Sequence, residues 1–204
     1  MTLTFYTNPM SRGQIVRWAL HEAKAKYDQV LLDYSTTMKA DDYLAINPMG
    51  KVPAIEHNGK VVTECAAICS YLADAFGGAG LAPTDDERAD YYRWMFFAAG
   101  PIETAVNNKM MGFVIDSEKE RTAGYGSFDR VMDVLDDLLG GRDYICGNRF
   151  TMADVYVGSQ VDWGLQFGSI PKRDNFKTYA ERLRERDTYK ESKAIDTALM
   201  SAAG

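Results

Sequence analysis

The chain has 204 residues, 46% of them apolar and 25% charged, a composition that supports a packed core and excludes a disordered chain. Its formal net charge of −6, from 23 Lys and Arg against 29 Asp and Glu, repels a phosphate backbone, so nucleic acid is not an expected partner. The three cysteines, Cys65, Cys69 and Cys146, are too few for a disulfide framework. Cys65 and Cys69 also lack the further ligands that zinc needs, and no metal is expected.

In chain order, residues 2–6 are β-branched and aromatic and predict a strand. A turn follows at Asn8-Pro9. From Ser11 onward Ile15, Val16, Ala19, Leu20 and Ala23 recur at helical spacing, with Ser11 where a cap belongs. A second strand is predicted over 27–32. A short helix over 41–46 stops before Asn47-Pro48. Val52-Pro53-Ala54-Ile55 predicts a third strand, and Asn58-Gly59 suits the tight turn of a hairpin. Residues 60–63 return as the fourth strand. A helix over 64–76 carries Ala67, Ile68, Tyr71, Leu72 and Ala75 on one side. The first 77 residues thus read β-α-β-α-β-β-α, a compact layered module.

Gly and Pro punctuate residues 77–83, so the chain is expected to divide into a domain over 1–77, a linker over 78–84 and a helical domain over 85–204. Thr84 to Glu87 has capping-box spacing. One long helix is predicted over 85–112, bent at Gly100-Pro101. Another is predicted over 118–139, a third opens at Thr151, and two more follow. The basic stretch 182–190 reads as a solvated helix face, and His21 and His57 read as surface residues. No stretch reaches a transmembrane length and no leader-like segment opens the chain. The expected setting is a reducing cytoplasm, with no membrane partner.

Four stretches in this order resemble the glutathione transferase family: residues 5–13 (FYTNPMSRG), 47–55 (NPMGKVPAI), 63–68 (TECAAI) and 148–154 (NRFTMAD). The resemblance covers essentially the whole chain. It implies an α/β thioredoxin-like N-terminal domain plus an all-α C-terminal domain, and glutathione as co-substrate. In the family, the matching Val-Pro bond is cis and the Val52 backbone pairs with glutathione as an added strand would. Lys51, Val52 and Pro53 are therefore candidate glutathione-binding residues. Glu64 and Cys65 match the pair that takes the γ-glutamyl end, where helix-start N–H groups suit a carboxylate. Cys65 departs from the usual Ser or Thr there, and a thiol is the weaker hydrogen-bond donor. Thr151 and Asp154 match a helix cap that concerns folding.

A glutathione transferase must favour the thiolate at neutral pH, because the thiol is mostly protonated there. A hydroxyl donating to sulfur and the positive end of a helix both do this. Ser11, at the predicted helix start, is the preferred activating hydroxyl. Tyr6, at the end of the first strand, is the alternative. Arg12 is a candidate contact for the thiolate or for the ends of glutathione. The implied reaction is thiolate attack on a small hydrophobic electrophile or reduction of an organic peroxide, as in detoxification. Met10, Tyr91, Met110, Met111 and Phe113 are candidate walls for the second substrate, and Met suits adaptable pockets. A homodimer is implied. Two other readings stay open at this stage: a non-catalytic binding or regulatory protein on the same fold, and a thiol oxidoreductase using Cys65.

Overall fold

A computed structural model describes residues 2–202. By contact the chain forms two units: residues up to Ala82 together with the chain from Glu185 onward, and Pro83–Arg184. The first unit holds β1 (Leu3–Thr7), α1 (Gly13–Glu22), β2 (Asp28–Leu31), α2 (Asp41–Leu44), β3 (Ala54–His57), β4 (Lys60–Thr63) and α3 (Cys65–Ala75). Sheet order is β2-β1-β3-β4; β1 runs parallel to β2 and antiparallel to β3, and β3 pairs antiparallel with β4. Asn58 and Gly59 take φ of 52° and 76° in the β3–β4 turn, the conformation their sequence suits.

Side chains alternate across β1. Leu3, Phe5 and Thr7 are buried, with the Arg17 guanidinium of α1 over the Phe5 ring. Tyr6 points to the opposite face, into a cluster of Leu32, Met38, Tyr43 and Ala54. Burial of these two faces by α1 with α3, and by the α2 segment, is the apolar driving force for this unit.

The second unit holds α4 (Arg88–Phe97), α5 (Glu103–Met110), α6 (Phe128–Gly140), α7 (Met152–Phe167) and α8 (Asp174–Arg184). A π turn over Ala98–Ile102, with Pro101 inside it, joins α4 to α5. The predicted bend is thus a widened turn that absorbs the donor proline lacks. α7 is buried on nearly every side, and Gly158 lets α8 approach closely: a Cβ there would lie 2.2 Å from Leu183 Cδ1. At its start Thr151 and Asp154 form the predicted capping box. Asp154 is fully buried and its two oxygens accept from Ile145 N at 2.7 Å, Tyr179 OH at 2.8 Å and Thr151 N at 2.8 Å.

Several sequence expectations change. The helix predicted over 118–139 begins only at Phe128; Gly126 turns at φ 70° and Ser127 is the cap, its hydroxyl accepting from Arg130 N. Residues 117–119 form just one 3₁₀ turn. Glu87 does reach back to Thr84 N at 2.9 Å, but α4 starts one residue after Glu87, whose carboxylate also holds the Arg149 guanidinium. His57 is buried, with Nδ1 2.9 Å from Tyr71 OH and its ring stacked on Phe76. Finally α9 (Asp187–Ala202), expected with the helical domain, packs on α1 within the first unit.

Two polar clusters seal that last contact. Arg17 Nε donates to Asp196 Oδ1 at 2.8 Å, both side chains 1% exposed. At the other end of α1, Glu22 accepts from Trp18 Nε1 at 2.9 Å, Thr188 Oγ1 at 2.6 Å and both sides of the Arg186 guanidinium. The stretch 182–190 is therefore a docking element at Arg186 and Thr188, and not wholly a solvated face.

Candidate functional site

The sheet register brings three loops to one end of the first unit. Tyr6 pairs with Ala54 and Ala54 with Thr63. The segment after β1, the segment before β3 and the segment after β4 therefore leave the sheet side by side. They carry Ser11 and Arg12, Lys51 to Pro53, and Glu64 and Cys65. Two helices of ten and eleven residues, α1 and α3, begin there, and helix starts favour an anion.

The first loop is tied down locally. Asn8 Nδ2 donates to Leu32 O at 2.8 Å and Asn8 Oδ1 accepts from Met10 N at 2.9 Å. Ser11 Oγ donates to Asn8 O at 2.6 Å and accepts from Gly13 N at 2.9 Å. Ser11 therefore caps the turn just ahead of α1, whose first residue is Gly13. Gly13 is held to glycine by space. A Cβ there would meet Thr7 Oγ1 at 2.0 Å and Ser11 Oγ at 3.0 Å. Gly13→Ala is expected to displace Ser11 and to lower the melting temperature, although alanine is the better helix former. A Gly13→Ala variant that melts at or above the wild type would refute the tight fit.

The second loop presents backbone. The Val52–Pro53 bond is cis, as the resemblance implies. Lys51 O accepts from Tyr43 OH at 2.6 Å and Asn47 Nδ2 at 2.8 Å. Lys39 Nζ holds Gly50 O at 2.5 Å. Burial pushes the Tyr43 phenol up to about 12, so it stays a donor at all ordinary pH. Among the described residues, Val52 N–H and C=O take part in no backbone hydrogen bond. Backbone polar groups held in place without a protein partner are open to a ligand strand.

The third loop carries an outlier. Glu64 sits at φ 65° and ψ 119°, outside the regions a non-glycine residue favours, at a cost of about 1–3 kcal/mol. It is exposed. The next residue, Cys65, opens α3; its Sγ donates to Arg12 O at 3.6 Å, so the two helix starts are joined. Cys65 is buried, which suits a small packing residue better than an attacking thiol.

Tyr6 lies elsewhere on the strand. Its ring packs on Tyr43 and its hydroxyl donates to Glu56 Oε2 at 3.4 Å. Burial first, then the Glu56 carboxylate, raise its pKa. It faces the α2 side of the sheet, away from the α1 start.

Of the residues read as second-substrate walls, Met10, Met110, Met111 and Phe113 are exposed. Tyr91 is only 2% exposed and belongs to the core of the helical unit. Helical spacing does not separate a core aromatic from a pocket wall. Within that unit a cavity of about 200 Å³ is lined by Phe113 together with Lys109, Val114, Tyr125 and Phe128. Sequence reading missed four of these, since only the loop over 112–127 brings them to one place. Among the described residues, no three His, Cys, Asp or Glu side chains group as metal ligands, and no helix is long and apolar enough to cross a membrane.

Residues 1–74 match the family model of the glutathione S-transferase N-terminal domain, and residues 118–163 match that of the C-terminal domain. The chain is 26% identical over 206 residues to glutathione S-transferase hmp2 of Hypomyces subiculosus, covering 93% of this chain and 96% of that one. It is 31% identical over 155 residues to glutathione S-transferase 1 of Schizosaccharomyces pombe, covering 71% and 66%. A solved glutathione transferase of Methylococcus capsulatus superposes with a TM-score of 0.79 at 25% identity, covering 97% and 100%. A sphingomonad glutathione S-transferase complexed with glutathione superposes with a TM-score of 0.76 at 26% identity, covering 95% and 98%.

Proposed function

The chain belongs to the glutathione S-transferase family, and from that premise we propose how its own residues carry out glutathione transfer. The observation that carries the reading is the convergence of a tethered serine hydroxyl, two helix starts and unpaired Val52 backbone groups at one end of the sheet. In this reading Val52 N–H and C=O pair with the cysteinyl backbone of glutathione, with Pro53 shaping the loop. Glu64 takes the γ-glutamyl ammonium, and the N–H groups at the α3 start, from Cys65, take its carboxylate. Lys51 and Arg12 meet the carboxylate ends. Ser11 exchanges its bond to Asn8 O for one to the glutathione sulfur. With the start of α1 behind it, that bond favours the thiolate, whose proton leaves to solvent.

The sulfur then forms a bond to an electrophilic carbon and the leaving group departs with its electron pair, or it bonds to one oxygen of an organic peroxide as the O–O bond breaks. In the second case the alkoxide leaves as an alcohol after taking a proton from water, and the resulting sulfenic acid reacts with a second glutathione to give the disulfide and water. Positioning and thiolate formation supply most of the acceleration. The proposed second substrate is small and hydrophobic; Met10 in the first unit, and separately Met110, Met111 and Phe113 in the second, are the exposed apolar candidates to contact it. The reaction uses no metal. A glutathione-binding domain over 1–77, a linker over 78–84 and a helical domain over 85–204 remain the proposed functional division, with α9 contributing to the first unit. We place the enzyme in the cytoplasm as a homodimer; a monomer mass at micromolar concentration in sedimentation would overturn the latter.

The test is calorimetric titration of glutathione into wild type and Ser11→Ala, with turnover of an aromatic electrophile such as a chlorodinitrobenzene. Ser11→Ala is expected to bind within a few-fold of wild type and to lose roughly 10²-fold in kcat, the size of one lost donor to a developing anion. If Ser11→Ala turns over normally while Tyr6→Phe does not, the activating hydroxyl is Tyr6.

A further inference from the structure

Thr7 ends β1 and is completely buried, yet its hydroxyl has no hydrogen-bond partner among the described residues. Buried hydroxyls are nearly always paired, so an orphan beside a site calls for a use. Its position is defined by Gly13: the point where a Cβ would stand on that residue is 2.0 Å from Thr7 Oγ1 and 3.0 Å from Ser11 Oγ. Both hydroxyls therefore lie close to Gly13, and Thr7 Oγ1 occupies the space that a side chain on residue 13 would need. A serine oxygen has one proton and two lone pairs. Ser11 uses its proton on Asn8 O and one lone pair on Gly13 N, which leaves one lone pair free. Thr7, with its proton uncommitted, is a buried donor beside the same glycine.

We propose that Thr7 is a positioning residue for the Ser11 hydroxyl, donating to Ser11 Oγ when Ser11 turns from Asn8 O to the glutathione sulfur. The inference rests on the reading of Ser11 as the activating group. A hydroxyl that accepts a further hydrogen bond becomes the stronger donor, because bonds in a chain polarise one another. No proton passes between Thr7 and Ser11; each keeps its own, and the glutathione thiol proton still goes to solvent. The stiff χ1 of a β-branched residue, with its methyl group buried, holds the donor aimed at one place. Gly13 is the third member of the arrangement, since a Cβ there would meet Thr7 Oγ1 at 2.0 Å and push that hydroxyl out of place.

The test is Thr7→Val, which keeps the shape and removes the hydroxyl, with Thr7→Ser as the variant that restores it. For each, kcat, the glutathione KM and the pH profile of kcat/KM are measured, in the wild-type and Ser11→Ala backgrounds. Thr7→Val is expected to leave KM for glutathione within about twofold and to lower kcat roughly threefold to tenfold, the span of one hydrogen bond. The apparent pKa of the thiol in the pH profile should rise by about half a pH unit or more, and Thr7→Ser should return both values to wild type. In the Ser11→Ala background Thr7→Val should have no further effect. Unchanged kcat and pH profile in Thr7→Val, with Ser11→Ala inactive, would overturn the role of Thr7 and leave Ser11 standing. An equal loss in both backgrounds would also overturn it, because Thr7 would then act without Ser11. Normal activity in Ser11→Ala alone would overturn the reading beneath it and the inference together. Should Thr7→Val fold poorly, Thr7→Ala read against Thr7→Ser makes the same comparison.

Discussion

Asp154→Ala is expected to destabilise the helical unit by roughly 4–6 kcal/mol, because it strands three buried donors, each costing about 1–3 kcal/mol when left unpaired. Those donors are Ile145 N, Thr151 N and Tyr179 OH. For a chain of this length that corresponds to a fall in melting temperature of about 10–20 °C. Thr151→Ala, which removes a cap hydroxyl only, should cost about 1 kcal/mol or a little more. Equal melting curves for wild type and Asp154→Ala would show that the network contributes nothing. The pH dependence has a definite sign. Burial raises the folded pKa of Asp154 from 3.8 to about 6, against the opposing pull of its hydrogen bonds. A raised carboxylate pKa means that the folded state holds the proton more tightly than the unfolded chain. The stabilisation is therefore fully present below about pH 4 and is lost as pH rises through about 6. Asp154→Asn retains an acceptor for Ile145 and Tyr179, loses the one for Thr151, and should flatten that slope in urea melts between pH 4 and 7.

Arg17→Met is expected to cost about 3–5 kcal/mol, the size of leaving one member of a buried ion pair alone. Asp196 is 1% exposed and would keep a charge with its principal counter-ion gone. Burial already raises its pKa, opposed chiefly by Arg17. Without Arg17 the carboxyl should hold its proton to a still higher pH, so the variant should be penalised less at pH 4.5 than at pH 7.5. Replacing both residues, as in Arg17→Met with Asp196→Leu, should recover much of the loss, since apolar pairs of similar volume often replace buried ion pairs without cost. A single variant that loses less than about 1 kcal/mol in urea would contradict the pairing.

The local pattern of the first 77 residues is enough to place β1 to β4 and α1 to α3 within about two residues. Alternation, helical spacing and the Asn58-Gly59 turn are all short-range signals. The start of α6 was misplaced because charged residues at 118–121 fit a helix on composition, whereas Gly124 and Gly126 interrupt it. The partners of α9 were illegible for a different reason. The Arg17–Asp196 contact spans most of the chain, and no local rule links the two residues. At the candidate site, Ser11, the Val52-Pro53 loop and Glu64-Cys65 could be named from motifs. Thr7 could not, because its interest lies in a burial and an unpaired oxygen that appear only once β1 and Gly13 are folded together. His57 was misread as exposed because proximity to a turn says nothing of what Tyr71 and Phe76 cover.

The return of α9 to α1 sets an order of completion during synthesis. A ribosome releases β1 to α3 long before the residues near Asp196. Until then Arg17 has no carboxylate to meet, and Glu22 lacks Arg186 and Thr188. The unit that begins first is thus the one finished last, after the intervening helical unit has already left the tunnel. A released chain truncated at Arg184 should carry a protease-resistant helical unit and a sheet unit still open to digestion.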